Sequence, residues 1–307
     1  MQPLVPVFAF IFAFTAAGFL LRKLGLLTPS RVRGLSWTAL NVSLPALTIA
    51  SLHRAPPLQA SLLMLPAASW LSLLMSTVIG YVLLIKVLKL PARMAGSLFL
   101  PAVLGNVTFV GYPALSALLG DDGLLRAIFF DQLANGIFLA TAGVAIAQWA
   151  GDGSRMPARM LVKGVLSFPP LWGLIVGFAL RGMPLPEALT ALLGGIGATT
   201  TPFFLLGLGA TLSLAGWRES LPGALAVSTF KLLLMPAAGY AMYRFLPMAP
   251  LDLQVATLQT AMPCALACVS MAITYGLETR LVVNSVALCL ILSALTLPFW
   301  VWVLSVG

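Results

Sequence analysis

"LGNVTFVGYPALSALLG", residues 104–120, lies inside a long apolar stretch that hydropathy alone reads as membrane-spanning. Near its middle stand Asn106, Thr108, Gly111 and Pro113, polar groups and helix breakers at the depth of the hydrocarbon. In lipid an unsatisfied backbone polar group is costly, because no water is there to answer it. Proline and glycine are common in membrane helices, and a single break can be a simple kink answered locally by Ser or Thr. The other reading is that partners come from elsewhere in the chain.

Of the 307 residues, 60% are hydrophobic and 8% charged, with a mean hydropathy of +1.04. Soluble domains carry about 25% charged residues. The chain is therefore an all-α integral membrane protein. Its net charge of +9 sits between apolar runs and does not interleave with aromatics, which excludes a nucleic-acid partner. Cys264, Cys268 and Cys289 fall in apolar segments and read as buried thiols; no metal site and no cofactor are expected. His53, beside Arg54 at the end of a span, reads as a solvated loop residue. In "MQPLVPVFAFIFAFTAAGFLLRKLG" the basic pair Arg22-Lys23 follows a long apolar run, so this segment reads as a first membrane helix and not a signal peptide.

A span needs about 20 apolar residues. Ten are expected, at 4–21, 34–52, 59–85, 95–119, 124–149, 161–180, 186–213, 221–246, 251–275 and 281–305. Twelve Lys and Arg fall in one alternate set of loops: Arg22, Lys23, Arg31, Arg33, Lys86, Lys89, Arg93, Arg155, Arg159, Lys163, Arg218 and Arg280. Four (Arg54, Arg126, Arg181 and Arg244) fall in the other. The richer set marks the cytoplasmic side, which puts both termini outside the cytoplasm in a plasma or inner membrane.

The ten spans divide into residues 1–150 and 161–307, joined by a short cytoplasmic link at 151–160. The second span carries "LNVSLPAL" with Asn41, Ser43 and Pro45, and the seventh "ATTTPFFLLGLGATL" with Thr199, Thr200, Thr201 and Pro202. The fourth carries Asn106, Thr108, Gly111, Tyr112 and Pro113, and the ninth "LQTAMPCALACVSM" with Gln259, Thr260 and Pro263. With five spans in each half, the halves insert in opposite senses. Inverted repeats interrupted at matching places point to a secondary transporter, whose half-helix ends face a polar cavity and favour an anion. These residues, Thr199 apart, are the candidate substrate-binding set.

The stretches "NVSLPALTIASL", "GNVTFVGYPALSALLG", "TTPFFLLGLGATL" and "QTAMPCALACVSMAITYG" resemble those of the auxin efflux carrier family, which includes PIN-type auxin exporters and bacterial malate permease-like proteins. The resemblance covers the chain in order. It implies ten helices in two inverted five-helix repeats, similar to bile-acid symporter-type folds, with scaffold and transport parts. It also implies helices four and nine crossing at Pro113 and Pro263, elevator-like alternating access, organic anion substrates and a homodimer. The long cytoplasmic loop of many plant members is missing here.

Asp131, with Asn135 one turn on, and Lys231 are ionisable or polar residues inside spans, where a charge costs about 2.5–3.5 kcal/mol and normally has a role. Asp131 is a candidate for proton or sodium coupling, for a structural hydrogen-bond partner, or for an interfacial residue nearer the outer end of its span. Lys231 is a candidate for attracting an anion, for pairing with a carboxylate, or for snorkelling toward the interface. The rivals are weaker. No His-Glu-x-x-His run or second histidine supports an intramembrane enzyme. A channel lacks charge rings or a filter repeat, and a transporter-fold receptor lacks a signalling domain.

Overall fold

The computed structural model describes residues 4–55, 60–152, 157–212 and 217–306. Arg155 and the centre of the 151–160 link lie outside them, as do residues 59 and 213 at the edges of two expected spans. Among the described residues the chain is helical throughout; its one β-type pairing is an isolated antiparallel bridge between Gly105 and Cys264.

The helices are α1 (Leu4–Lys23), α2 (Pro29–Arg54), α3 (Ala60–Val87), α4 (Ala92–Val103), α5 (107–119), α6 (121–150), α7 (Ala158–Leu166), α8 (Pro169–Ala179), α9 (Glu187–Thr211), α10 (Trp217–Tyr243), α11 (Pro250–Thr260), α12 (Ala267–Thr274) and α13 (Thr279–Val306). Seven stretches are long and apolar enough to cross a membrane: α1, α2, α3, the continuous Val107–Ala150, α9, α10 and α13. The 44-residue stretch Val107–Ala150 turns at Gly120, whose φ of 65° and ψ of −154° are not helical, and so divides into α5 and α6. The expected spans 95–119 and 251–275 are each two short helices around a break. A third break, at Ser167 and Phe168, splits the expected span 161–180 into α7 and α8, because Pro169 and Pro170 open a new helix there.

Proline also explains several wide turns. Pro45, Pro113 and Pro236 each follow a five-residue π turn: Ala39–Ser43, Val107–Gly111 and Phe230–Leu234. A proline has no N–H to give to the preceding turn, and its ring crowds the carbonyl there; widening that turn relieves both problems. Two further π turns in α6, Asp131–Asn135 and Leu139–Gly143, contain no proline.

Packing sorts the helices into two groups. In the first, α1 lies along the second half of α9, and α2 lies against α8 and the first half of α9. The backbones approach closely at small residues: a side chain on Gly18 would strike the Leu206 carbonyl, and one on Gly209 the Thr15 carbonyl. Small residues at such contacts are how membrane helices gain van der Waals packing without a hydrophobic drive. In the second group, α3 packs on α4 and α6, α10 on α11 and α13, and α11 on α3 and α5. The broken helices sit in the middle of this second group.

Candidate functional site

The two breaks meet. Where α4 ends, the Asn106 N–H donates to the Pro263 carbonyl at 2.6 Å; the Ala265 N–H returns a bond to the Leu104 carbonyl at 2.9 Å. Each interrupted helix thus answers the backbone groups that the other frees, which resolves the cost raised by residues 104–120. The crossing falls at Pro263, as the family resemblance implied, but not at Pro113. Pro113 stands inside α5, where the preceding π turn Val107–Gly111 makes room for its ring and missing N–H. The first interruption is at Leu104–Asn106.

Asn106 is 5% exposed, and its Oδ1 accepts the Phe109 N–H at 3.2 Å. It is therefore the N-cap of α5. The first N–H groups of α5 have no partner within the helix and mark the positive end of its dipole.

Lys231 reaches the same point from the π turn of α10. Its side chain is 4% exposed, and its Nζ donates to the Thr260 carbonyl at 3.3 Å. A side chain on Gly105 would come within 3.1 Å of that Nζ. Among the described residues the ion pairs are Arg93 with Asp152 and Glu278, and Arg126 with Asp122 and Asp252; Lys231 is in none of them. The snorkelling expectation is thus corrected: Lys231 is buried at the crossing, because α10 faces α11 there. A cavity of about 10 Å³, at the lower edge of what one water needs, is lined by Lys231, Gly105, Gln259, Thr260, Asn135 and the serines Ser69, Ser72 and Ser76 of α3. Ser69 Oγ and Gln259 Oε1 have no hydrogen-bond partner there. Of the candidate residues, Asn135, Lys231, Gln259 and Thr260 line this cavity.

Asp131 is 4% exposed and fully engaged. Its Oδ2 accepts from Thr108 Oγ1 at 2.5 Å and from the Tyr112 hydroxyl at 2.9 Å, and its Oδ1 from Asn135 Nδ2 at 3.3 Å. This carboxylate ties α5 to α6 through two donors, Thr108 and Tyr112, while Asn135, on α6 itself, carries the network to the cavity. Gly111 lets α11 approach: a side chain there would strike Gln259 Oε1.

The other candidates belong to the first group of helices. Ser43 and Thr199 share a hydrogen bond at 2.7 Å, Thr200 donates to the Gly197 carbonyl at 2.7 Å, and Asn41 donates to the Trp37 carbonyl at 2.8 Å. Pro45 and Asn41 line a shallow groove between α2 and α8, while Thr201 and Pro202 are half-buried at the start of the second half of α9. None of these lines the cavity at the crossing. The two groups touch where Phe109 stacks on Phe204, ring centroids 3.4 Å apart, and where Gln132 Nε2 donates to Thr48 Oγ1 at 2.6 Å.

Two buried charges escaped the sequence reading. Arg126, assigned to an outer loop, is 8% exposed, and its Nε lies 2.7 Å from Oδ1 of Asp252, which is fully buried. Both lie just inside the ends of the expected spans 124–149 and 251–275, where a charge normally meets water, so their pairing left little trace in the sequence. The α3 serines, spaced to lie on one helix face, were also overlooked. His53 is half-buried in the last turn of α2, with Nδ1 3.3 Å from the Leu180 carbonyl, and is not a free loop residue. The three cysteines are buried, as expected.

A sequence profile of the family described as membrane transport protein matches residues 2–301. The chain is 31% identical over 286 residues to an uncharacterized transporter of Methanothermobacter thermautotrophicus, with 92% of each chain covered. It is 26% identical over 248 residues to an uncharacterized transporter of Methanocaldococcus jannaschii, with 79% of each covered.

Proposed function

The chain belongs to the auxin efflux carrier family of membrane transport proteins, and from this premise we propose that it is a secondary transporter of small organic anions. The observation that carries the substrate class is Lys231: a buried cation at the crossing, in no ion pair among the described residues. An isolated charge at that depth is unfavourable by about 2.5–3.5 kcal/mol on insertion scales, and an anion beside it offsets the cost. The N-terminus of α5 and the Ser69 hydroxyl supply further donors. The cavity of about 10 Å³ is far below the roughly 300 Å³ of a ligand pocket, so the surrounding helices must part to admit the anion.

We read the fold as ten spans in two inverted repeats, 1–150 and 161–307, joined by the 151–160 link. Three relations support this. The breaks 104–106 and 263–265 pair with each other, and α5 and α12 are each followed by a glycine of positive φ, Gly120 at 65° and Gly276 at 69°. Exchanging the halves also exchanges the packing of α1 on α9 with that of α8 on α2, and the packing of α3 on α6 with that of α10 on α13. Elevator-type alternating access then moves the second group of helices against the first, and Phe109–Phe204 and Gln132–Thr48 are contacts it must break. Residues 41–45 and 200–202 act at that boundary.

In the charged form Asp131 anchors α5 on α6, and Lys231 already places a fixed cation at the crossing. Uptake is therefore expected without sodium. The protein works in the cytoplasmic membrane with both termini outside, as a homodimer. Purified protein in liposomes, offered radiolabelled malate, benzoate and indoleacetate with and without proton and sodium gradients, tests the reading. Saturable uptake of at least one anion without sodium is expected. Uptake of none of the three, by protein shown to be folded, contradicts it.

A further inference from the structure

Two helices that cross at one point are free to scissor about it. The backbone bonds at 104–106 and 263–265 fix the position of the crossing, but being close to the pivot they have little leverage over its angle. Contacts far from the pivot must set that angle. Among the described residues, one ion pair spans each open jaw. At the end where α4 begins, Arg93 Nε lies 3.0 Å from Glu278 Oε1, just beyond α12. At the end where α11 begins, Asp252 lies 2.7 Å from Arg126, which stands in the second turn of α6, the helix that turns back from α5 at Gly120. The step between the halves sets Arg93 opposite Asp252, whereas Arg126 and Glu278 are 152 residues apart. The step from Gly105 to its bridge partner Cys264 is the same as that from Arg93 to Asp252, both 159 residues.

The pairs differ in surroundings. The Arg93–Glu278 side chains are 51% and 47% exposed, and their end has other ties: the Glu278 N–H donates to Ser97 Oγ and the Asp152 N–H to the Tyr275 carbonyl. An exposed pair of this kind contributes little. The Arg126–Asp252 side chains are 10% and 0% exposed, and the pair is shielded from water, so it holds its two helices far more firmly than an exposed pair does. Asp122, at 3.4 Å from Arg126, keeps the guanidinium on its own helix but holds nothing across the jaw.

We propose that Arg126 and Asp252 are positioning residues that set the angle at which the broken helices cross, and with it the aim of the anion-binding groups at the break. The significance for transport rests on the reading above; the angle itself does not. Spin labels on cysteines replacing the exposed Asp121 and Pro250 report the jaw opening directly, since Cys264, Cys268 and Cys289 are buried. Asp252→Asn is expected to broaden and shift the distance distribution, Asp252→Glu to keep it close to the parent, and Glu278→Gln to leave it unchanged. A purely stabilising role would lower the melting temperature of Asp252→Asn without moving the distances in the folded protein. That result overturns the proposal. If Asp252→Asn does not fold, Arg126→Lys decides, because an ammonium cannot reproduce the guanidinium geometry: a broadened distribution supports the clamp and a parental one refutes it. Absence of anion uptake by the wild type would refute the transport reading and leave the distance outcome standing.

Discussion

Asn106 and Pro263 are joined through their backbones, the N–H of one donating to the carbonyl of the other at 2.6 Å, each within an interrupted helix. That bond makes Pro263 part of the crossing itself, whereas Pro113 lies beyond it inside α5, just after the π turn Val107–Gly111 that accommodates it. The two prolines should therefore behave differently on substitution.

Pro263→Ala offers an N–H where none was accommodated and invites α11 to run on through the break. Severe loss of uptake is expected. Pro113→Ala should cost only about 0.4–1 kcal/mol, chiefly through the freer unfolded chain, with uptake kept. Parallel uptake and melting measurements check this; equal damage from both would place Pro113 in the crossing.

Asp131→Asn replaces an acceptor of three donors with a group that offers its own donor on one side. A loss of about 1–3 kcal/mol in stability is expected, with Tyr112→Phe and Thr108→Val each costing about 1 kcal/mol. Thermal unfolding in detergent reads all three. An Asp131→Asn protein as stable as wild type, but insensitive to a proton gradient that wild type follows, would instead make Asp131 the coupling group.

Gly209→Ala and Gly18→Ala drive a methyl into the facing backbone, at the Thr15 and Leu206 carbonyls respectively. Each should cost about 1–3 kcal/mol as overpacking. Gly34→Ala meets nothing within 4 Å and should be neutral or slightly stabilising. Yields of folded protein and melting temperatures test the ordering.

Much of this was legible in the sequence. Polar groups and breakers inside apolar runs announced the interruptions at Asn106 and Pro263, and the mid-span positions of Asp131 and Lys231 marked both as exceptional. What stayed hidden depends on partners distant in the chain. Arg126 and Asp252 lie near span ends, where a charge normally meets water, and only the fold shows that they bury one another. Asn106 has the residue type of both a ligand and a helix cap; the position of the Phe109 N–H decides for the cap. The π turns before Pro45, Pro113 and Pro236 follow from proline chemistry, but a hydropathy window cannot register a turn widened by one residue.

Orientation has its own test. Single cysteines at the exposed Arg31 and Lys89 should react with an impermeant thiol reagent only from the cytoplasmic side, and one at Arg54 only from outside. Labelling of Arg31 and Arg54 positions from the same side would remove the inverted repeat.

The most direct test of an anion site at the crossing is equilibrium binding to Lys231→Met, using whichever of malate, benzoate and indoleacetate the wild type takes up. The methionine preserves the length and burial of the side chain and removes only the charge. A charge-assisted contact contributes about 1.5–3 kcal/mol, so affinity should fall roughly ten- to hundredfold or more, while melting stays at or above the wild-type value because an unpaired buried cation has been removed. A folded Lys231→Met protein that binds the anion as tightly as wild type would contradict the account.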